Sequence, residues 1–402
     1  MKACLYPHGL IVLGLVYVAC SSDGGGTDGT TASGSGGTGG AVASGTGGGG
    51  TTGSGGASGG ATSAGGTGSG TGGVASGGAA GSTSTGGSSG SGGTGGGGGT
   101  GAGGSGGGAT SARCSDAERA LPLDLAGKSL ERVDGVPPSG LNGSFNFEGP
   151  VWVGDSLYGS EIAGDNTGRI IKYTPGMAPT VFLPGSDSNG IAVNDDGDLV
   201  AAVQGDGSIT VIDIDNPAMQ TPLVTMFMEE RFNSPNDLTF HDDGTLYFTD
   251  PNYQAPQPPP QDEERAYRVP LGGDPEAIQG APSRPNGITL SEDETVLYIA
   301  GQSEVRRFDV MVGGALANDA QLATHGGDGM GMDCAGNLYV TTGSEVAVYD
   351  RDGGAYPTRL SVGMGNTTNA AFGGPNRTTL FVTTLNPAGL WQVELDVPGL
   401  PY

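Results

Sequence analysis

The side chains best equipped for chemistry in this chain are carboxylates and carboxamides, and they recur in one setting. Each stands just ahead of a short apolar-alternating run: Glu148 in "EGPVW", Asn189 in "NGIAV", Asn236 in "NDLTF", Asn286 in "NGITL", Asp328 in "DGMGM" and Asn369 in "NAAF". Asn or Asp before a strand commonly shapes the loop entry as an Asx-turn, and each asparagine taken singly has that reading. A glutamate has no reason to replace such a cap. Glu148 and Asp328 brought to one place would also repel each other without a cation between them. All six are hard oxygen donors, with no thiolate or imidazole among them. That set suits Ca2+ and suits Zn2+ or copper poorly.

The spacing indicates which elements must position these groups. Successive intervals are 41, 47, 50, 42 and 41 residues. Each polar residue precedes a short strand, a turn rich in Asp and Gly, and a second apolar strand. Runs of period two at 246–248, 296–299 and 338–340 point to strands rather than helices. Asp196-Gly197 and Asp243-Gly244 are hairpin turns in which glycine takes positive φ without steric penalty. Units of 40–50 residues with several short strands are propeller blades, so six copies predict an all-β, six-bladed β-propeller. The innermost strand of each blade lines a central channel. Equivalent positions on those strands form a ring, which would bring the six polar residues together.

The quoted stretches also carry a resemblance. "FEGPVW" (147–152), "SNGIAV" (188–193), "NSPNDLTFHDDGTLYFTDPNY" (233–253), "RPNGITLSEDETVLYIAG" (284–301), "GDGMGMDCAGNLYV" (327–340) and "AFGGPNRTTLFVTT" (371–384) resemble the SMP-30/gluconolactonase/luciferin-regenerating family, in its bacterial gluconolactonase-like branch. The resemblance spans the domain from about residue 145, and the Ser-Pro-Asn-Asp block with its "FTDP" tail is its most specific part. It implies a divalent cation, usually calcium, held in the channel by Glu148, Asn286 and Asp328, with Asn236 as a further metal or substrate contact. Asp328 matches the family's proton acceptor. Asn189 and Asn369 would lie on the channel wall against substrate, and His325, three residues before Asp328, could reach the channel mouth. The Pro-rich insert at 251–269 departs from the family at the loops that choose substrate.

Composition limits the rest. Residues 21–112 are almost wholly Gly, Ser, Thr and Ala, with two charges (Asp23, Asp28) and no aromatic residue. Such a segment cannot offset its ordering entropy and is expected to be a flexible tether with a reach of about 50 Å. Setting aside Asp23, Asp28 and Lys2 from 42 acids and 16 bases leaves 40 against 15 in the rest of the chain, which excludes nucleic acid and anionic membrane surfaces as partners. The opening "MKACLYPHGLIVLGLVYVAC" resembles a bacterial lipoprotein signal, 1–19, cleaved before a lipidated Cys20, with Tyr17 where leucine is usual. The expected organisation is therefore signal, linker to residue 112, and propeller from 113 to 402. It would be held to the cell envelope, at the outer membrane or cell surface, through the lipid alone. Cys114 and Cys334 remain. They could pin the domain's first segment to a later strand or be two unrelated thiols.

Other signals carry less. His241 in the "HDDG" turn reads as solvent-exposed, and with two histidines in the mature chain a Ser-His-Asp triad has few places to form. "GASGG" (56–60) comes from linker composition, and "AGKS" (126–129) lacks the first glycine of a phosphate loop. Trp152 and Phe147 read as packing between blades. The leading expectation is a calcium-dependent hydrolase of lactones, with a small-molecule lactone or ester as substrate. The cation would polarise the carbonyl, and Asp328 would act as base or as nucleophile. The alternatives are an arylesterase- or phosphotriesterase-like hydrolase on the same metal, and a non-catalytic ligand-binding propeller with structural calcium.

Overall fold

The computed structural model describes residues 113–164 and 168–401. The signal, Cys20 and the glycine-rich linker lie outside the described residues. Period-two sequence becomes β-structure nearly throughout, and the one helix among the described residues is the four-residue turn Asp116–Arg119. Four antiparallel sheets have four strands each, in chain order from the innermost strand outward. One of them runs Leu238–Phe240, Leu246–Asp250, Arg265–Val269 and Glu276–Ala277. The fold is a β-propeller. A two-stranded ribbon, Met226–Phe227 with Glu230–Arg231, precedes the sheet just named.

A larger sheet has eight strands and consists of two such meanders joined at the single pair Asn146–Leu385. One meander begins with Ser144–Val153 and ends with Thr180–Pro184. The other runs from Asn366–Gly373 through Thr379–Leu385 and Gly389–Glu394, and is completed by Glu131–Val133. The outermost strand of the last meander thus comes from the start of the domain. Three residues are too few to show alternation in a sequence, so the repeat pattern did not reveal it.

The core lies between neighbouring sheets rather than within one. Leu199 and Ala201 pack on one side against Val151, Tyr158 and Ile170. Val200 and Ala202, one residue out of phase, pack on the other against Phe232, Phe248 and Tyr267. Strand alternation therefore sends successive side chains into different interfaces, and burying each large apolar side chain contributes roughly 1.5–3 kcal/mol. Trp152 and Phe147 do pack between meanders: Trp152 stacks on Phe381 with ring centroids 5.7 Å apart. His241 differs from the sequence expectation. It is half-buried, its ring nitrogens 3.0 Å from Asp243 and 3.7 Å from Glu294, because the neighbouring turn closes over it.

Residues 113–128 cross the turn ends of several sheets. Arg113 reaches Asp242 and Glu294, each at 2.7 Å, in the hairpin turns of two successive sheets. Cys114 is disulfide-bonded to Cys334, 220 residues away, in the turn of the next. Glu118 meets Arg377 in the turn of the last meander, while Ser115 and Glu118 cap the short helix reciprocally. All these turns follow the C-terminal ends of innermost strands. The six polar residues stand at the opposite ends.

Candidate functional site

The backbone around the six polar residues is built for close approach. Glu148, Asn189, Asn286 and Asp328 are each followed by glycine. The amide of Gly190 donates to the Asn236 carbonyl at 2.6 Å, Gly287 to Asp328 at 2.6 Å, and Gly329 to Thr368 at 2.5 Å. A Cβ on Gly190 would sit 2.6 Å from Asp237 Oδ1 and 2.7 Å from the Asn236 carbonyl oxygen, and Gly149 and Gly287 are similarly blocked by the carbonyls of Asn189 and Asp328. Glycine is required because the next sheet's backbone occupies the place of its side chain.

Threonines complete the stitching. Thr249 Oγ1 accepts from the Asp237 amide at 3.1 Å and donates to the Asn286 carbonyl at 2.5 Å. Thr341 does the same between Gly329 (2.8 Å) and Thr368 (2.8 Å). Thr368 Oγ1 then donates to the Phe147 carbonyl at 2.6 Å, next to Glu148. The chain of contacts passes from 148 through 189, 236, 286 and 328 to 368, and returns to 147. The repeated residues do form one closed ring.

Some of their side chains meet inside it. Asp237, which the sequence reading left aside, accepts from the Leu238 amide (3.0 Å), the Ile288 amide (3.3 Å) and Asn369 Nδ2 (3.3 Å). Burial nevertheless pushes its carboxyl up to about 6. The available signal was charge: the residue after a ring position is otherwise Gly or Ala, and only here an acid. Glu148 is buried and accepts from Asn146 Nδ2 at 3.1 Å. Burial, then the charges of Asp328 and Asp237, hold its carboxyl well above the usual range. Asp328 touches Asn286 and is pushed up to about 7, by burial first and by Asp237 as well. It is partly exposed, at an opening of about 420 Å3 lined among others by Asn286, Gly301, Gly327, Thr342 and Asn366.

Asn189 and Asn369 are buried in the ring wall. Asn369 Oδ1 accepts the amide of the next residue, Ala370, at 2.8 Å, which is not the i+2 bond of an Asx-turn, while its amide turns to Asp237. Asn236 is buried beside Asp237. His325 stands apart, with Nδ1 at the Gly326 carbonyl and Nε2 at the Tyr349 hydroxyl. Tyr253, from the Pro-rich insert, packs under the guanidinium of Arg284, two residues before Asn286.

Three carboxylates therefore share one channel, and their mutual repulsion is part of why two of them are shifted upward. The donors are all oxygen, and Asn146 Oδ1 is buried with no hydrogen-bond partner. These features fit a hard cation. Among the described residues no three acidic, imidazole or thiol groups are close enough to hold an ion unaided, so carboxamide oxygens would have to complete the set.

Residues 147–386 match the SMP-30/gluconolactonase/LRE-like region. The chain belongs to that family. The gluconolactonase of Zymomonas mobilis subsp. mobilis is 33% identical over 173 residues, a match that spans 38% of this chain and 48% of that relative. Among solved structures, a gluconolactonase from Xanthomonas campestris is 25% identical with a TM-score of 0.56, covering 69% of this chain and 99% of the other. A calcium-binding protein, regucalcin from Agrobacterium tumefaciens, is 19% identical with a TM-score of 0.54, over 65% and 93%. The SMP-30/gluconolactonase/LRE-like match begins one residue before Glu148 and encloses all six ring positions.

Proposed function

We propose that the protein is a calcium-dependent hydrolase of lactones whose reaction takes place in this ring. The observation that carries the reading is that Glu148, Asp237 and Asp328 stand on one ring close enough to repel one another, with Asp328 at an opening to solvent, a repulsion that a cation would relieve. We assign the cation to Glu148, Asn236, Asn286 and Asp328, with Asp237 behind them. Family membership and the gluconolactonase relatives support the substrate class, and the regucalcin likeness agrees with calcium. Dividing the eight-stranded sheet at Asn146–Leu385 gives the six blades this ring needs. We keep the division at residue 113 and the lipid anchor at Cys20 as part of the same proposal.

A bound divalent cation would polarise a lactone carbonyl and favour the ionised carboxylates. Asp328 then has two uses open to it at the solvent-facing side of the ring. It takes the proton from an attacking water, or it attacks the carbonyl and is released by water afterwards. Asn286 holds the Asp328 carboxylate in place. Asn189 and Asn369 offer amides from the wall, and the threonine stitches keep the ring from relaxing when substrate displaces water.

The test is acid release from a lactone panel that includes gluconolactone, using the full chain with Ca2+, after chelation, and as Asp328→Ala. Turnover that vanishes in both controls supports the proposal. A folded, calcium-loaded protein silent on every lactone refutes it and leaves a binding propeller or a hydrolase of other esters.

A further inference from the structure

The Pro-rich insert fixes one side chain at the end of the propeller that carries the ring. Tyr253 follows the strand Leu246–Asp250 and remains 38% exposed, at the rim rather than in the core. It lies against Arg284, two residues before Asn286, and Asn286 and Asp328 both line the opening. One face of its ring is covered by Arg284, whose guanidinium carbon is 4.4 Å from the ring centroid. Arg284 Nε is in turn 3.5 Å from Glu264 Oε1, and the same oxygen accepts the Asn252 amide at 3.1 Å. Ser234 Oγ holds the loop on both sides of Tyr253, donating to the Pro251 carbonyl at 2.7 Å and accepting from the Gln254 amide at 3.3 Å.

This is a pre-organised side chain, not a surface tyrosine of convenience. Arg284 adopts φ +50°, a conformation that costs a non-glycine residue on the order of 1–3 kcal/mol and persists only where its surroundings impose it. The strain sits two residues before Asn286 and aims the guanidinium at the tyrosine. Core packing does not explain the arrangement, because both side chains reach solvent. Nor does the ring need it, since the stitches described above close the ring without Tyr253.

We propose that Tyr253, clamped by Arg284, is a specificity-determining residue that contacts the bound lactone at the mouth, its phenol pairing with a substrate hydroxyl. The assignment rests on the lactonase reading. A substrate with ring hydroxyls replaces the water that the phenol and guanidinium give up when it binds. A bare hydrocarbon lactone leaves both groups unpaired, which is the condition under which a polar site discriminates against an analogue. Because the rim keeps some access to water, the discrimination expected at Tyr253 is about tenfold rather than the much larger factors of a sealed site.

The experiment compares gluconolactone with δ-valerolactone, which has the same ring size and no hydroxyl groups, in the full chain and its variants. Tyr253→Phe is expected to raise KM for gluconolactone about tenfold with kcat within about twofold, and to leave kcat/KM for δ-valerolactone within about twofold. Arg284→Lys keeps the charge but loses the planar stack. It should move the same parameter, for the same substrate, severalfold. Melting temperatures of both variants close to that of the wild type exclude simple unfolding. Equal losses on the two lactones, or no loss on either, would overturn the assignment. A wild-type protein inactive on both lactones would remove the lactonase reading first, and the assignment with it.

Discussion

Removing one charge from the ring should make the cation-free protein more stable, which is the reverse of the usual result of altering a buried polar network. Asp328→Asn replaces a carboxyl pushed from its ordinary 3.8 up to about 7 by a neutral group of nearly the same shape. Between those values the folded protein holds a proton that the unfolded chain has released, so stability falls as pH rises from about 4 to about 7 and is level above that. The full shift corresponds to roughly 4 kcal/mol at pH 8. Water entering through the opening lowers this to about 2 kcal/mol, the value we expect. For a domain of this size that is about 5 °C in melting temperature. The assay is thermal unfolding followed by circular dichroism, with chelator, from pH 4 to pH 8. The variant should gain most at pH 8, and the gain should shrink toward zero near pH 4. Added Ca2+ should reverse the order, because the wild type then recovers a ligand that the variant has weakened. A variant no more stable than wild type at pH 8 in chelator, or a gain independent of pH, would refute the account of the ring as repelling carboxylates.

Two further substitutions probe the supports. Gly287→Ala forces a methyl group onto the Asp328 carbonyl across the 2.6 Å amide contact; we expect a loss of about 1–3 kcal/mol in denaturant titration and a fall of more than tenfold in kcat, since Asp328 itself must move. Opening the Cys114–Cys334 bond, by reductant or as Cys114→Ser with Cys334→Ser, frees a loop of 220 residues. A loss of roughly 2–5 kcal/mol in stability is expected, with KM for a lactone unchanged because the disulfide lies at the turn end of the channel. A large change in KM would place the turn face in contact with the site.

How much of this was legible in the sequence depended on periodicity. The ring positions were readable because six short strands carry a carboxylate or carboxamide at one point, and geometry allows such a set only one meeting place. Asp237 was passed over because its neighbour Asn236 already filled the repeat, although it is the one charged residue at its own position in the repeat. Asn146, two residues before Glu148 on the same strand, was invisible for a different reason: it belongs to no repeat, and only the fold brings its amide to Glu148. The closing strand Glu131–Val133 and the disulfide depend on contacts between distant segments that no local pattern encodes. Tyr253 lay inside an insert that the sequence marked only as unusual. Its direction is set by Arg284, Glu264 and Ser234, which are scattered over fifty residues.

The route by which the chain enters the propeller also decides which end of it carries the attachment. Arg113, Cys114 and Glu118 grip the hairpin turns, and the opening onto Asp328 is at the other end of the same strands. Any attachment that pulls on the polypeptide ahead of residue 113, the lipid proposed at Cys20 included, therefore pulls from the back. The mouth therefore stays clear of the attached segment whichever way the tether swings. Substrate could arrive by free diffusion without passing that segment, and product would leave by the same unobstructed side.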